Sequence, residues 1–97
     1  MKVKFSDAAL RDKREAEQWY RSASREAALR FRDDLRAVCR LLATYPRSGP
    51  VFRGSARGKT MKKFPFTVLY EVLPDRILVI ALADERRDPA YYAQRLS

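Results

Sequence analysis

Apolar residues recur along this chain with two different periods, and the order of those periods outlines an architecture. Lys2-Val3-Lys4-Phe5-Ser6 alternates polar and apolar side chains, as a short strand does. Ser6 or Asp7 can then accept hydrogen bonds from the free amides of a first helical turn, which predicts a helix running to about Ser22. The apolar side of that helix is carried by Ala9, Ala16, Trp19, Tyr20 and Ala23. Ser22-Ala23-Ser24 breaks the pattern, and Ser24 is placed to cap a second helix with Glu26 near the positive end of its dipole. Ala28, Phe31, Leu35, Val38, Leu42 and Tyr45 follow spacings of three and four, so they share one helical face. Two amphipathic helices joined by so short a link predict an antiparallel hairpin.

Pro46-Arg47-Ser48-Gly49-Pro50 ends the second helix in a loop. From Val51 to Lys63 the chain is basic and weakly patterned, and a strand is expected only over about Thr60 to Lys63. Phe64 to Leu73 returns to period two, with Phe64, Phe66, Val68, Tyr70 and Val72 on one face. Pro65 disfavours pairing at its start. After a turn at Pro74-Asp75, Ile77 to Ala83 is apolar on both faces and is expected to be the central, most buried strand. Asp88-Pro89 has the form of a helix start, predicting a short last helix from Pro89 to Leu96. The fold class expected is α+β. An N-terminal strand and a two-helix hairpin pack on a small, twisted, mainly antiparallel sheet, and a short C-terminal helix follows. Residues 1–97 suit a single domain.

Composition sharpens this outline. Hydrophobic residues make up 46% of the chain, enough for one modest core despite 34% charged residues. The net charge of +9, from 21 Lys+Arg against 12 Asp+Glu, favours an anionic partner, either nucleic acid or an acidic protein. Cys39 is the sole cysteine, so no internal disulfide forms, as suits a reducing cytoplasm. No apolar run approaches the ~20 residues needed to cross a bilayer, and no apolar signal core precedes the first strand, so neither membrane association nor export is expected.

The chain has no histidine, which removes the commonest general acid/base and the commonest metal ligand. No carboxylates cluster at ligand spacing, and Gly49, Gly54 and Gly58 are too widely spaced to cradle phosphate, so no metal and no cofactor are expected. Cationic phosphodiester chemistry remains open. Lysine, arginine and tyrosine can move protons and stabilise charge on a phosphate without histidine. Candidates for such work are Lys59, Lys62, Lys63, Arg86, Arg87, Tyr91 and Tyr92.

Several segments, taken in order, carry a family resemblance. The N-terminal strand leads into an Ala-rich helix ending in Trp19-Tyr20, and Ala27-Ala28-x-x-Phe31 opens the second helix. Tyr45-Pro46-Arg47-x-Gly49 and Phe64-Pro65-Phe66-x-Val68-x-Tyr70 follow, and the chain closes on Arg86-Arg87-Asp88-Pro89-x-Tyr91-Tyr92-x-x-Arg95. In this order the segments resemble the toxins of the RelE/ParE superfamily of type II toxin–antitoxin systems, and most of all the ParE branch. The resemblance implies a cognate, ParD-like antitoxin with an acidic, flexible C-terminal part, and a hetero-oligomeric toxin–antitoxin complex. It also implies one of two activities, inhibition of DNA gyrase without chemistry of the toxin's own or ribosome-dependent mRNA cleavage of the RelE type.

The motifs separate these two activities in part. RelE-like ribonucleases carry an arginine three residues before the strand tyrosine, a position held here by Thr67. They carry another six residues before a C-terminal tyrosine, where an ungapped match to Tyr91 finds Glu85. Relatives with a histidine near the end of the last strand have Asp84 as their counterpart here. The gyrase reading therefore leads, with no catalytic residue expected. A ribonuclease would draw on Lys62, Lys63, Arg86, Arg87 and Tyr91. The target is expected to meet Arg86, Arg87, Tyr91, Tyr92 and Arg95, and the antitoxin to meet Trp19, Leu41 and Phe52.

Overall fold

The structure, a computed structural model, describes residues 1–96. Strand β1 (Lys2–Phe5) leads into helix α1 (Asp7–Ala23), which Ser6 starts by accepting a hydrogen bond from the Ala9 amide at 3.1 Å. Ser24 alone separates α1 from α2 (Arg25–Thr44). Its extended backbone turns the chain, its amide closes α1 on Tyr20, and its hydroxyl opens α2 by accepting from the Ala27 amide at 3.0 Å. Strands β2 (Val51–Arg53), β3 (Ala56–Thr60), β4 (Phe66–Val72) and β5 (Arg76–Asp84) follow, and a single turn of helix, α3 (Ala90–Ala93), ends the described elements.

The five strands lie in the order β1-β5-β4-β3-β2. Every neighbouring pair is antiparallel except β1 with β5, which run parallel from Lys2 opposite Arg76 to Phe5 opposite Val79. The helical hairpin covers one face. Phe31, Leu35, Val38 and Leu42 of α2, with Ala9 and Ala16 of α1, meet Phe66, Val68, Tyr70, Val79 and Leu82 of the sheet. Tyr20, Phe31, Phe64 and Phe66 form an aromatic cluster at one end, with Tyr20 and Phe31 stacked at 5.4 Å and Phe64 edge-on to both. The other sheet face carries a smaller cluster of Ala56, Leu69, Ile80, Ala81 and Tyr92.

Several sequence expectations are corrected here. The strand expected at Thr60–Lys63 lies instead at Ala56–Thr60, preceded by a β2 that no pattern announced, and Lys62 and Lys63 fall in the connection to β4. The buried positions of β3 are Ala56 and Gly58, residues too small to register as a hydrophobic period. Gly58 suits the close packing there, since a Cβ on it would meet Thr67 Cγ2 at 2.9 Å and push that side chain aside. Strand β5 is internal, but the middle place belongs to β4, because β1 adds outside β5. Trp19, Ala23 and Tyr45 do not share the buried faces assigned to them; Trp19 is 66% exposed. The last helix is shorter than Pro89–Leu96, although Asp88 Oδ1 does accept from the Ala90 amide at 3.0 Å.

Candidate functional site

Strand β5 outlasts its neighbour β1. The Ser6 amide still donates to Val79 O at 2.9 Å, but beyond that point the outer edge of β5 has no strand beside it among the described residues. Backbone groups on such an edge need other partners, and side chains supply them. Asp12 Oδ2 accepts from the Leu82 amide at 3.0 Å, the Tyr92 hydroxyl accepts from the Asp84 amide at 2.9 Å, and Arg95 Nη1 donates to Ile80 O at 3.4 Å. Arg95 also grips Asp12 bidentately, with Nη2 to Oδ1 at 3.0 Å. One carboxylate on α1 thus ties helix, strand edge and C-terminal tail together.

Between α1, the end of β5 and the tail lies an open groove of about 500 Å³. Ala16, Phe66 and Leu82 contribute its apolar lining; Arg11, Glu15 and Trp19 stand on the α1 side, and Arg86, Arg87 and Tyr91 on the tail side. Arg86 donates through Nε and Nη2 to the two Asp84 carboxylate oxygens, both at 2.9 Å. The Arg86 guanidinium holds the Asp84 carboxyl below the usual carboxylate range, and Asp84 in turn raises the Arg86 pKa. The Arg87 guanidinium lies 4.5 Å from the centre of the Tyr91 ring, and Tyr91 meets Tyr92 edge-on at 4.9 Å.

The five residues expected to face a target divide into two groups. Arg86, Arg87 and Tyr91 are exposed on the groove rim. Tyr92 is only 4% exposed, and burial pushes its hydroxyl pKa up. Arg95 is spent on Asp12, whose hydrogen bond raises the guanidinium pKa further. Tyr92 and Arg95 therefore hold the tail that presents the other three. Lys62 and Lys63 sit on the exposed β3–β4 connection, where the Lys63 amide donates to Asp34 Oδ2 at 3.1 Å. That connection shares the sheet end of Glu85, whose amide reaches Pro65 O at 2.9 Å, but neither lysine lines the groove. At the two positions where the resemblance places ribonuclease arginines, Thr67 Oγ1 donates to Glu85 Oε2 at 3.1 Å.

Of the residues expected at the antitoxin surface, Trp19 is on the groove rim. Phe52 lines a separate, smaller pocket with Leu69 and Tyr92, on the sheet face away from the hairpin. Leu41 is 38% exposed on α2 and lines neither cavity. Cys39 is half-buried, and burial raises its thiol pKa, which keeps it in the unreactive form at neutral pH.

Sequence reasoning missed Asp12, the hub of the tail. A signal was present, because Asp12 falls three residues after Ala9 and four before Ala16, on the buried stripe of α1. An acid on an apolar stripe needs a buried partner.

Residues 3–89 match the family described as the ParE toxin of the type II toxin–antitoxin system, parDE. No curated protein matches the sequence. Among solved structures, the chain is similar to one from the chromosomal ParDE TA system of P. aeruginosa, with a TM-score of 0.73 and 20% identity over 87% of this chain and 95% of that one. At that identity the likeness speaks for the fold, which agrees with the α+β arrangement described above. The match across 3–89 takes in α1, α2, strands β2 to β5 and β1 from Val3 onward, and on that ground the chain belongs to the ParE toxin family of type II toxin–antitoxin systems.

Proposed function

We propose that this toxin acts by inhibiting DNA gyrase in the cytoplasm, and that a ParD-like antitoxin with an acidic C-terminal segment neutralises it in a hetero-oligomeric complex. The observation that carries the first half is the Thr67–Glu85 hydrogen bond. RNA cleavage by a RelE-like route asks for cations at those two positions, to clamp a phosphate as charge builds on it. Here a hydroxyl and a carboxylate occupy them and satisfy each other. A carboxylate at that point repels a phosphate. A protein that works by binding needs no such cations, and an exposed rim of Arg86, Arg87 and Tyr91 suits it. Arginine and tyrosine are the residue types that most often dominate protein interfaces. The antitoxin half rests on membership of a family described by its toxin–antitoxin system and on the +9 charge, which favours an acidic partner.

Supercoiling by purified gyrase, with and without this protein and at several antitoxin ratios, tests the reading. Inhibition with trapped DNA cleavage, reversed by antitoxin, is the expected result. Unimpaired gyrase in the presence of folded protein would overturn it, and cleavage of ribosome-bound mRNA would then favour the RelE-type activity. Arg86→Glu combined with Arg87→Glu should weaken gyrase inhibition by roughly tenfold or more while leaving the fold intact.

A further inference from the structure

The tip of the helical hairpin carries a second concentration of arginine, remote in the chain from the tail. Arg21 from the last turn of α1, and Arg25 and Arg32 from α2, surround an open groove of about 420 Å³ whose other lining residues are Ala28 and Leu29. Arg25, Ala28, Leu29 and Arg32 follow helical spacing along one face of α2. Ala28 is buried and Leu29 is 46% exposed, so the floor between the cations is apolar and open. None of the three arginines has an ion-pair partner among the described residues. The nearby carboxylate of Glu26 is engaged by Arg30 at 2.6 Å.

We propose that this hairpin tip is a docking surface for an acidic segment of a partner protein, in which carboxylates flank one apolar side chain. Charge complementarity selects the acidic character, since three arginines line the groove and no carboxylate does. The floor selects a peptide over a nucleic acid. Ala28 and Leu29 can receive an aliphatic side chain, whereas no aromatic ring lines the groove to stack an unpaired base. The surface goes beyond the functional reading above, because none of the target or antitoxin residues expected there lines this groove.

A fluorescent synthetic peptide with Asp and Glu on either side of a single Leu, titrated into the full-length protein, tests the surface. The control for net charge is Arg14→Glu with Arg40→Glu and Arg47→Glu, three exposed arginines outside the groove. Arg21→Glu with Arg25→Glu and Arg32→Glu should weaken binding roughly tenfold or more beyond that control. Leu29→Ala should weaken the Leu-bearing peptide and leave a Leu-to-Ser peptide unchanged. Equal losses in the two charge variants would overturn the proposal, since attraction would then follow net charge alone. So would a single-stranded oligonucleotide that displaces the peptide from the tip while its own affinity ignores Leu29, which would mark a phosphate-binding patch. Circular dichroism and thermal melting of each variant separate lost binding from lost fold.

Discussion

In the C-terminal tail, Arg86 is held by Asp84, Arg95 by Asp12, and Arg87 lies over the Tyr91 ring. At the hairpin tip, Arg21, Arg25 and Arg32 have no ion-pair partner among the described residues. Arg95 does structural work for a segment with little regular structure of its own, since a four-residue helix cannot hold itself in place. The tip arginines stand on two long helices that the core already secures, so no ion pair is needed there to hold the chain. Charge on a secured element is free to serve a partner, whereas on an unsecured one part of it is first spent on holding the segment that presents the rest.

Asp12→Ala should cut deepest into this contrast. It strips the Leu82 amide and Arg95 of their acceptor in a part-buried site, at a cost of about 2–3 kcal/mol in urea unfolding. Tyr92→Phe comes next, leaving the Asp84 amide without an acceptor for a loss of about 1 kcal/mol, with faster hydrogen exchange at that amide as the local readout. Asp84→Asn has a smaller, pH-dependent effect. Because Arg86 depresses the folded-state pKa of Asp84, the wild-type pair contributes stability above the ordinary aspartate value of about 3.9. That contribution is lost as pH falls through the lower folded value, so the stability curves of wild type and variant should differ at neutral pH and converge in acid. Arg21→Ser with Arg25→Ser should change stability by no more than about 0.5 kcal/mol, because both side chains are exposed and neither makes an ion pair among the described residues. A loss as large as that of Asp12→Ala would erase the distinction between the two regions.

The helical layer was legible because its core residues are large and regularly spaced. Phe31, Leu35, Val38 and Leu42 announce their own face. Strand β3 was not legible, because the residues it buries are Ala56 and Gly58, with the Thr67 side chain packed close over Gly58. Trp19 was misplaced because its apolar character was counted without its angle. One residue, about 100° of helical rotation, separates it from Tyr20, which packs on the core. The tail motif itself was readable, but the division of labour within it was not. Nothing local distinguishes Tyr91 from Tyr92, and the partner of Arg95 lies on α1, at the other end of the chain.

The parallel pairing of β1 with β5 bears on how a cell makes this protein. Lys2 is translated long before Arg76, yet its place in the sheet is beside it. Strand β5, which must sit between β1 and β4, is translated last among the strands. Contacts so distant in sequence form late and slowly, so the nascent chain carries an unpaired N-terminal strand and a half-covered hairpin until β5 has cleared the exit tunnel. The groove, whose lining draws on α1, β5 and the tail, comes into being only after that. Synthesis itself therefore imposes a delay between the making of the helical hairpin and the first competent molecule of the toxin.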